Sequence, residues 1–277
     1  MHIKSACLAL MFTPVMAMTA HADQWADVQA KQTLSCGVYS DVPPFSSPSP
    51  TTRALEGMDV DLCTSLAKHL GVKVELKPLS GEARVPEVKM GRVDVVIANL
   101  AYTKTRAQQI QFSDPYYVAK EMLVVKKPLA DQPRSYFEGK RISATKGSTS
   151  EQSIRMAKAT PVTFQDTGSA YLAVQQNKVL GVVTNAMSAT KLVSQAGAGG
   201  VELGIVKEPM ALEPVSVGMR LDEPAMLAKV NDALMAMENA GEIDQIWAKW
   251  IGPNTEYKMV REEKVQKLSA LKFEPLE

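Results

Sequence analysis

Two short segments of this 277-residue chain carry side chains spaced for chemistry. The first is Ala98-Asn99-Leu100-Ala101-Tyr102-Thr103-Lys104-Thr105-Arg106. It follows a continuous apolar run, 93–98, that reads as a buried strand. Ligands of open α/β sheets gather beyond the carboxyl ends of strands. A planar, two-pronged guanidinium at Arg106 is suited to grip a carboxylate there. Taken alone, a surface salt bridge explains that arginine equally well. The second segment is Lys146-Gly147-Ser148-Thr149-Ser150-Glu151-Gln152, which follows a strand and opens a helix. Ser148 with Glu151, or Thr149 with Gln152, fits a capping box. Free N–H groups at such a helix start form a ready anion site; a capped helix without any ligand is the plainer reading.

Other chemistries are poorly supplied. Lys4, the apolar stretch 6–15 and the small-x-small Ala20-His21-Ala22 read as a secretory signal cut after Ala22. That stretch is shorter than the roughly 20 residues of a membrane span, and no second long apolar run follows. Beyond residue 22 one histidine remains, His69, with two cysteines, Cys36 and Cys63. A Ser-His-Asp or Cys-His centre would have to use His69, and a zinc site is hard to assemble. His69 ends a predicted helix, where a solvated imidazole is favoured by the helix dipole. Export leads to an oxidising compartment, so Cys36 and Cys63 either pair or stay as two small buried apolar side chains. Gly197-Ala198-Gly199-Gly200 lacks the glycine at 202 (it is Glu202) and a following helix, so it reads as a turn. Without residues 1–22 the chain has 30 basic and 30 acidic residues. Nucleic-acid binders show a basic surplus or stripe, and none is present. No metal and no cofactor are expected.

The positioning elements alternate strand and helix. Strands are predicted at 34–39, 72–76, 93–98 and 121–126, with helices at 59–70 and 85–90 between them. A second series follows a proline-rich break at 128–133: strands 141–144, 162–165 and 181–184, helices 150–159, 169–177 and 186–194. A strand at 215–220 and a long helical region, 224–250, interrupted near Gly241, complete the pattern. Trp247 and Trp250 near its end read as core or docking residues. Such alternation predicts an α/β fold with mostly parallel sheets. Nesting of the second series in the first predicts two lobes: 23–125 and 215–277 form one, 126–214 the other. The crossings are expected near 124–127 and 213–217.

In order along 33–252, the chain resembles the family 3 extracellular solute-binding proteins of polar amino-acid ABC importers. Cys36-Gly37-Val38 through Pro43-Pro44-Phe45 looks like the family's first strand and proline-aromatic turn. Gly57-Met58-Asp59-Val60-Asp61-Leu62 is similar to its Gly-Phe-Asp-x-Asp-Leu signature. Gly91-Arg92-Val93-Asp94-Val95, Thr103 through Arg106, Phe112-Ser113-Asp114-Pro115-Tyr116-Tyr117 and Gly147-Ser148-Thr149 match further motifs. The resemblance implies a two-lobed periplasmic binding protein fold of type II with a two-strand hinge that closes on ligand. It implies a monomer in the periplasm that passes a small ligand, an amino acid or related carboxylate, to a membrane permease of an ABC importer. Carried over, Arg106 clamps the carboxylate, Ser148 and Thr149 meet it from the other lobe, and Asn99 and Ala101 offer polar groups.

Four positions depart from the family. Tyr39 stands where an acid is frequent near the end of the first strand. Asn185 replaces the aspartate that commonly holds the ammonium group. Gly81 and Val42 replace frequent aromatic or apolar residues. The carboxylate grip is therefore expected intact and the ammonium grip weakened. Asp41, Asp166 and Glu82 are candidate substitutes, though Asp166 equally suits a helix cap before Gly168. The ligand is either an amino acid held in an unusual way or a carboxylate without a free amine. The alternative in another class is a secreted dehydratase of the cyclohexadienyl or arogenate type on the same fold, which needs a buried general acid. A receptor's sensing domain would be expected to run on into a membrane span.

Overall fold

The computed structural model describes residues 23–196, 201–273 and 275–277. The predicted signal and the glycine run 197–200 lie outside them.

The first lobe begins with α1 (Gln24–Lys31), capped by Asp23, and β1 (Thr33–Tyr39). A short pair, β2 (Ser47–Pro48) and β3 (Leu55–Glu56), precedes α2 (Met58–His69) and β4 (Lys73–Leu79). Then come α3 (Arg84–Lys89), β5 (Val95–Val96), α4 (Lys104–Ala107) and β6 (Gln111–Phe112). The strand β7 (Tyr117–Lys126) leads into the second lobe: β8 (Arg141–Thr145), α5 (Thr149–Met156), β9 (Thr160–Phe164), α6 (Thr167–Gln175), β10 (Gly181–Asn185), α7 (Ala186–Ala196) and β11 (Leu203–Ile205). The chain returns through β12 (Ala211–Val215) to β13 (Gly218–Met219), α8 (Pro224–Asn239) and α9 (Glu242–Trp250).

The first sheet runs β4-β1-β5-β13-β6, and β1 is parallel to β4 and β5. Its interior strand β1 is buried from Leu34 to Val38, as the apolar run requires of a strand covered on both faces. One face packs on α2, α8 and α9, the other on α3. The second sheet runs β11-β7-β10-β8-β9, with apolar clusters on both sides. Gly241 adopts φ 70°, the left-handed turn that breaks α8 from α9 where the interruption was expected. Gly57 approaches the Phe45 carbonyl so closely that a Cβ there would stand 2.2 Å from its oxygen.

Three local readings change. The run 93–98 is buried throughout, but only Val95–Val96 pairs with neighbouring strands. The expected strand 215–220 is two elements, since Val215 ends β12 and β13 covers Gly218–Met219. The first crossing lies earlier than 124–127. Leu123, Val124 and Val125 are fully buried, and β10 and β11 pair with this stretch, so it is interior to the second sheet. The ribbon between lobes is Tyr117–Glu121 of β7 against Ala211–Val215 of β12. Tyr117, Ala119 and Val215 belong to the first lobe's core. The second crossing overlaps the expected 213–217.

Cys36 on β1 and Cys63 on α2 are joined by a disulfide, with Sγ–Sγ 2.02 Å and Cα–Cα 6.2 Å. His69 Nε2 lies 3.1 Å from Glu242 Oε1, which ties α2 to the first turn of α9; the imidazole is partnered by a side chain rather than by solvent alone. Trp247 and Trp250 dock as expected, their Nε1–H groups donating to the Met259 carbonyl (3.1 Å) and to Asp61 Oδ2 (2.7 Å). Among the described residues no helix is long and apolar enough to cross a membrane. Among them, too, no group of three His, Cys, Asp or Glu side chains is placed to hold a metal ion.

Candidate ligand-binding cleft

A cleft of about 740 Å³ lies between the lobes, floored by the β7–β12 ribbon. Of the residues singled out from sequence, it brings together Tyr39, Glu82, Asn99, Ala101, Arg106, Ser148, Thr149 and Asn185. Asp41 and Asp166 do not line it. Asp41 is exposed, and Asp166 caps α6, accepting from Ser169 N (2.8 Å) and Ser169 Oγ (2.9 Å). Those bonds to its charged form hold the Asp166 carboxyl below the usual range. The cap reading therefore replaces the ammonium reading at Asp166.

Arg106 sits on α4, a single turn capped by Thr103, whose Oγ1 accepts from Arg106 N (3.1 Å). Its Nη1 donates to the Ala101 carbonyl (2.8 Å), so that carbonyl aims the guanidinium and is engaged by it. Burial lowers the Arg106 pKa to about 10, helped by Arg84 and opposed by Glu213, and the group stays charged at neutral pH. Arg84 is a second cation in the cleft. It lies over the Tyr39 ring, 4.8 Å from its centroid, and donates to the carbonyls of Gly81 and Ala98 (2.9 Å each). Tyr39 thus serves as a stacking surface where an acid was looked for.

The second lobe offers the start of α5. Ser148 Oγ accepts from Glu151 N (3.2 Å) and donates to the Thr145 carbonyl (2.6 Å). Glu151 accepts from Gly147 N (2.9 Å), one residue before the cap. Those bonds leave Thr149 and Ser150 in the first turn facing the cleft.

Two expected side chains are committed elsewhere. Asn99 Oδ1 accepts from the Tyr117 hydroxyl. Asn185 Oδ1 accepts from Ser188 N (3.0 Å) at the start of α7, so the amide oxygen proposed for an ammonium already serves as a cap.

Among the lining residues that escaped the sequence reading are the charged ones Arg84, Glu121 and Glu213. Glu121 accepts from Ser150 Oγ at 2.5 Å. Burial pushes its carboxyl well above the usual carboxylate range, and Glu213 beside it adds to the push. Burial pushes Glu213 up to about 7, while Thr149, Arg106 and Arg84 pull it down. The signal was present, since an acid interrupting an apolar strand is expensive unless it faces a site.

These shifts set a pH window for the empty protein. A carboxyl whose folded pKa is raised stabilises the fold below its unfolded pKa and loses that contribution as pH rises through the folded value. For Glu213 the loss runs from about 4.5 to beyond 7. Glu151, Glu242 and Asp244 are lowered, by Arg155, Ser65 and Lys264 in turn, and their contributions vanish as acid protonates them. We expect the ligand-free melting temperature to peak near pH 5–6 and to fall by several degrees towards pH 8. Glu213→Gln should flatten that fall in thermal melts across pH; an unchanged slope would contradict the burial argument.

Two α/β lobes, a cleft between them and a hinge of paired strands define a binding protein that closes around a small solute. Residues 34–253 match the model of the bacterial extracellular solute-binding proteins, family 3, and the chain belongs to that family. Among its relatives is the glutamine-binding protein GlnH of Bacillus subtilis, 25% identical over 83% of this chain and 85% of that one. Another is the L-cystine-binding protein TcyJ of Escherichia coli K12, 26% identical over 88% and 93%. An ancestral arginine-binding protein bound to arginine superposes with TM-score 0.66 at 34% identity, covering 80% of this chain and 99% of that one. An ancestral amino-acid-binding protein, a precursor of cyclohexadienyl dehydratase, gives TM-score 0.69 at 29% identity over 83% and 100%.

Proposed function

We propose that the protein captures an amino acid or a closely related small carboxylate in the periplasm and hands it to the permease of an ABC importer. One observation carries this reading: Arg106 from the first lobe and the open first turn of α5 from the second line the same cleft. A carboxylate held by both bridges the lobes, and that bond is what favours the closed hinge. The relatives' names, glutamine-, cystine- and arginine-binding, support the ligand class.

Thermal-shift screening of residues 23–277, stripped of co-purified solute, tests it. A ligand at about 100 times its Kd adds about 2.7 kcal/mol. That corresponds to a rise of roughly 5–10 °C for a chain of this size. A flat response to all amino acids and small carboxylates would overturn the proposal.

A dehydratase on the same frame draws on one observation, the buried Glu213 carboxyl near pKa 7, which suits a general acid. Turnover of prephenate or arogenate by the purified protein is the measurement that would favour it.

A further inference from the structure

Glu121 and Glu213 rise from the cleft face of the hinge ribbon itself. Ala211 lies opposite Glu121, and Ala119 opposite Glu213, so both carboxyls share one face with two small neighbours. The other face carries Val118, Lys120 and Leu212 towards a separate cavity behind the ribbon. Across one strand, Glu121 is in register with Asn185.

The pair is nearly sealed, at 3% and 5% exposed. Glu121 has Ser150 and Glu213 has Thr149 as hydrogen-bond partners, yet Glu213 Oε1 has none. Among the described residues neither carboxyl forms an ion pair. Arg106 and Arg84 act on Glu213 from a distance without pairing with it, and two adjacent buried acids with no cation in contact are a costly arrangement for a fold to keep. The arrangement becomes favourable when a donor with positive charge and several hydrogens sits on them.

We propose that Glu121 and Glu213 together form a two-carboxyl seat for an ammonium group of the ligand. The inference rests on the carboxylate-binding reading above and narrows it to amine-bearing carboxylates, amino acids rather than acids without a free amine. The ligand's carboxylate meets Arg106 and the first turn of α5, and its ammonium settles on the ribbon between the lobes. Asn185, whose oxygen caps α7, need not hold the amine.

The seat exchanges a proton on loading. In the empty cleft the pair holds a proton near neutral pH. An arriving –NH3+ favours the ionised carboxyl, so the O–H bond breaks, its electron pair stays on oxygen, and the proton passes to buffer. The charged and titratable groups that line the cleft with the pair are Tyr39 of β1, Glu82 just before α3, Arg84 of α3, Arg106 of α4 and Lys146 before α5, with Tyr117 of β7 beside them and Asp59 of α2 beyond it. Arg106, lowered only to about 10, keeps its charge over pH 6–8, so the carboxyl pair dominates the titration there.

The test is calorimetry on residues 23–277 in two buffers of different ionisation enthalpy. The probes are the twenty protein amino acids and cystine, each beside the same molecule lacking its α-amine. We expect the best amino acid to release close to one proton at pH 6 and to bind roughly tenfold more weakly there than at pH 7. Its desamino partner should release none and bind at least tenfold more weakly at pH 7. Glu121→Gln and Glu213→Gln should each weaken the amino acid at least tenfold and shrink the proton release, while the desamino compound holds or tightens. The desamino titration also reports whether the variants are folded. Binding of the amino acid without proton release, and unchanged in both variants, overturns the seat but leaves the carboxylate reading standing. Failure of every probe with the wild-type protein overturns both.

Discussion

Arg106→Ala should abolish practical ligand capture while leaving the protein folded. The guanidinium is half-buried and points into the cleft from a turn whose cap, Thr103, does not depend on the side chain. Its bond to the Ala101 carbonyl anchors the donor rather than the lobe. Removing one partner of a desolvated charge pair costs about 2–5 kcal/mol. That is roughly 30-fold to several-thousand-fold in Kd. Arg106→Lys should recover only part of it, because an ammonium keeps the charge but lacks the planar fork. Titration calorimetry with the best hit from the thermal screen reads the effect directly. A change of threefold or less in Arg106→Ala would remove the arginine from the site. The loss should reach the floor of the cleft too: Arg106 helps pull down the Glu213 carboxyl, so its removal pushes that group further towards the neutral form.

The second large effect concerns the frame. Replacing Cys36 and Cys63 together by alanine should destabilise the protein by about 3–4 kcal/mol, the chain-entropy value for a closed loop of 27 residues. Both sulfurs are fully buried between β1 and α2, so packing lost at the two sites adds to the same sign. Each kcal/mol moves the melting temperature of a chain this size by roughly 2–4 °C, which puts the fall near 10 °C. Reduction of the wild-type protein under denaturant titration should give the bond's share of that change, somewhat less than the double variant, because both side chains stay in place. A loss below about 1 kcal/mol would show that burial, not the bond, fastens α2 to the sheet. Tyr39 sits at the far end of the same strand, three residues on, so ligand affinity should survive at temperatures where the variant is folded.

What was legible in the sequence depended on how local its cause was. Arg106 after a buried strand and Ser148-Thr149 at a helix start are short-range signals, and the cleft contains both. The break at Gly241 is likewise set by one residue's conformation. The two glutamates left only a faint local signal, an acid within an apolar strand, because their burial comes from pairing β7 with β12, some ninety residues apart in the chain. Read locally, Glu121 is the polar edge of an apolar strand. Asn185 was misread for the opposite reason, while at Asp166 the helix cap was already one of the two readings. Their positions at strand ends matched a ligand role, but each satisfies a nearby helix start. The crossing near 124–127 was misplaced since Leu123-Val124-Val125 looks the same in a connecting strand as in a sheet interior. Only the strands β10 and β11 on either side distinguish the two. Helix α1 gave little warning, as Gln24–Lys31 is mostly polar and buries only Gln24 and Val28.

The ribbon has a further consequence for the timing of capture. Ala101 bridges Val215, and Tyr102 N donates to the Pro214 carbonyl at 2.8 Å. The segment that aims Arg106 is thereby stitched to the strand that carries Glu213, and the two travel as one body when the lobes part. Thr149, Ser150 and Asn185 travel with the other body. An open protein therefore presents a landing surface that already spans both ends of an amino acid, and the second lobe acts afterwards as a latch. Changes to the landing surface should govern how often an encounter succeeds, and changes to the latch how long the ligand stays before the permease receives it.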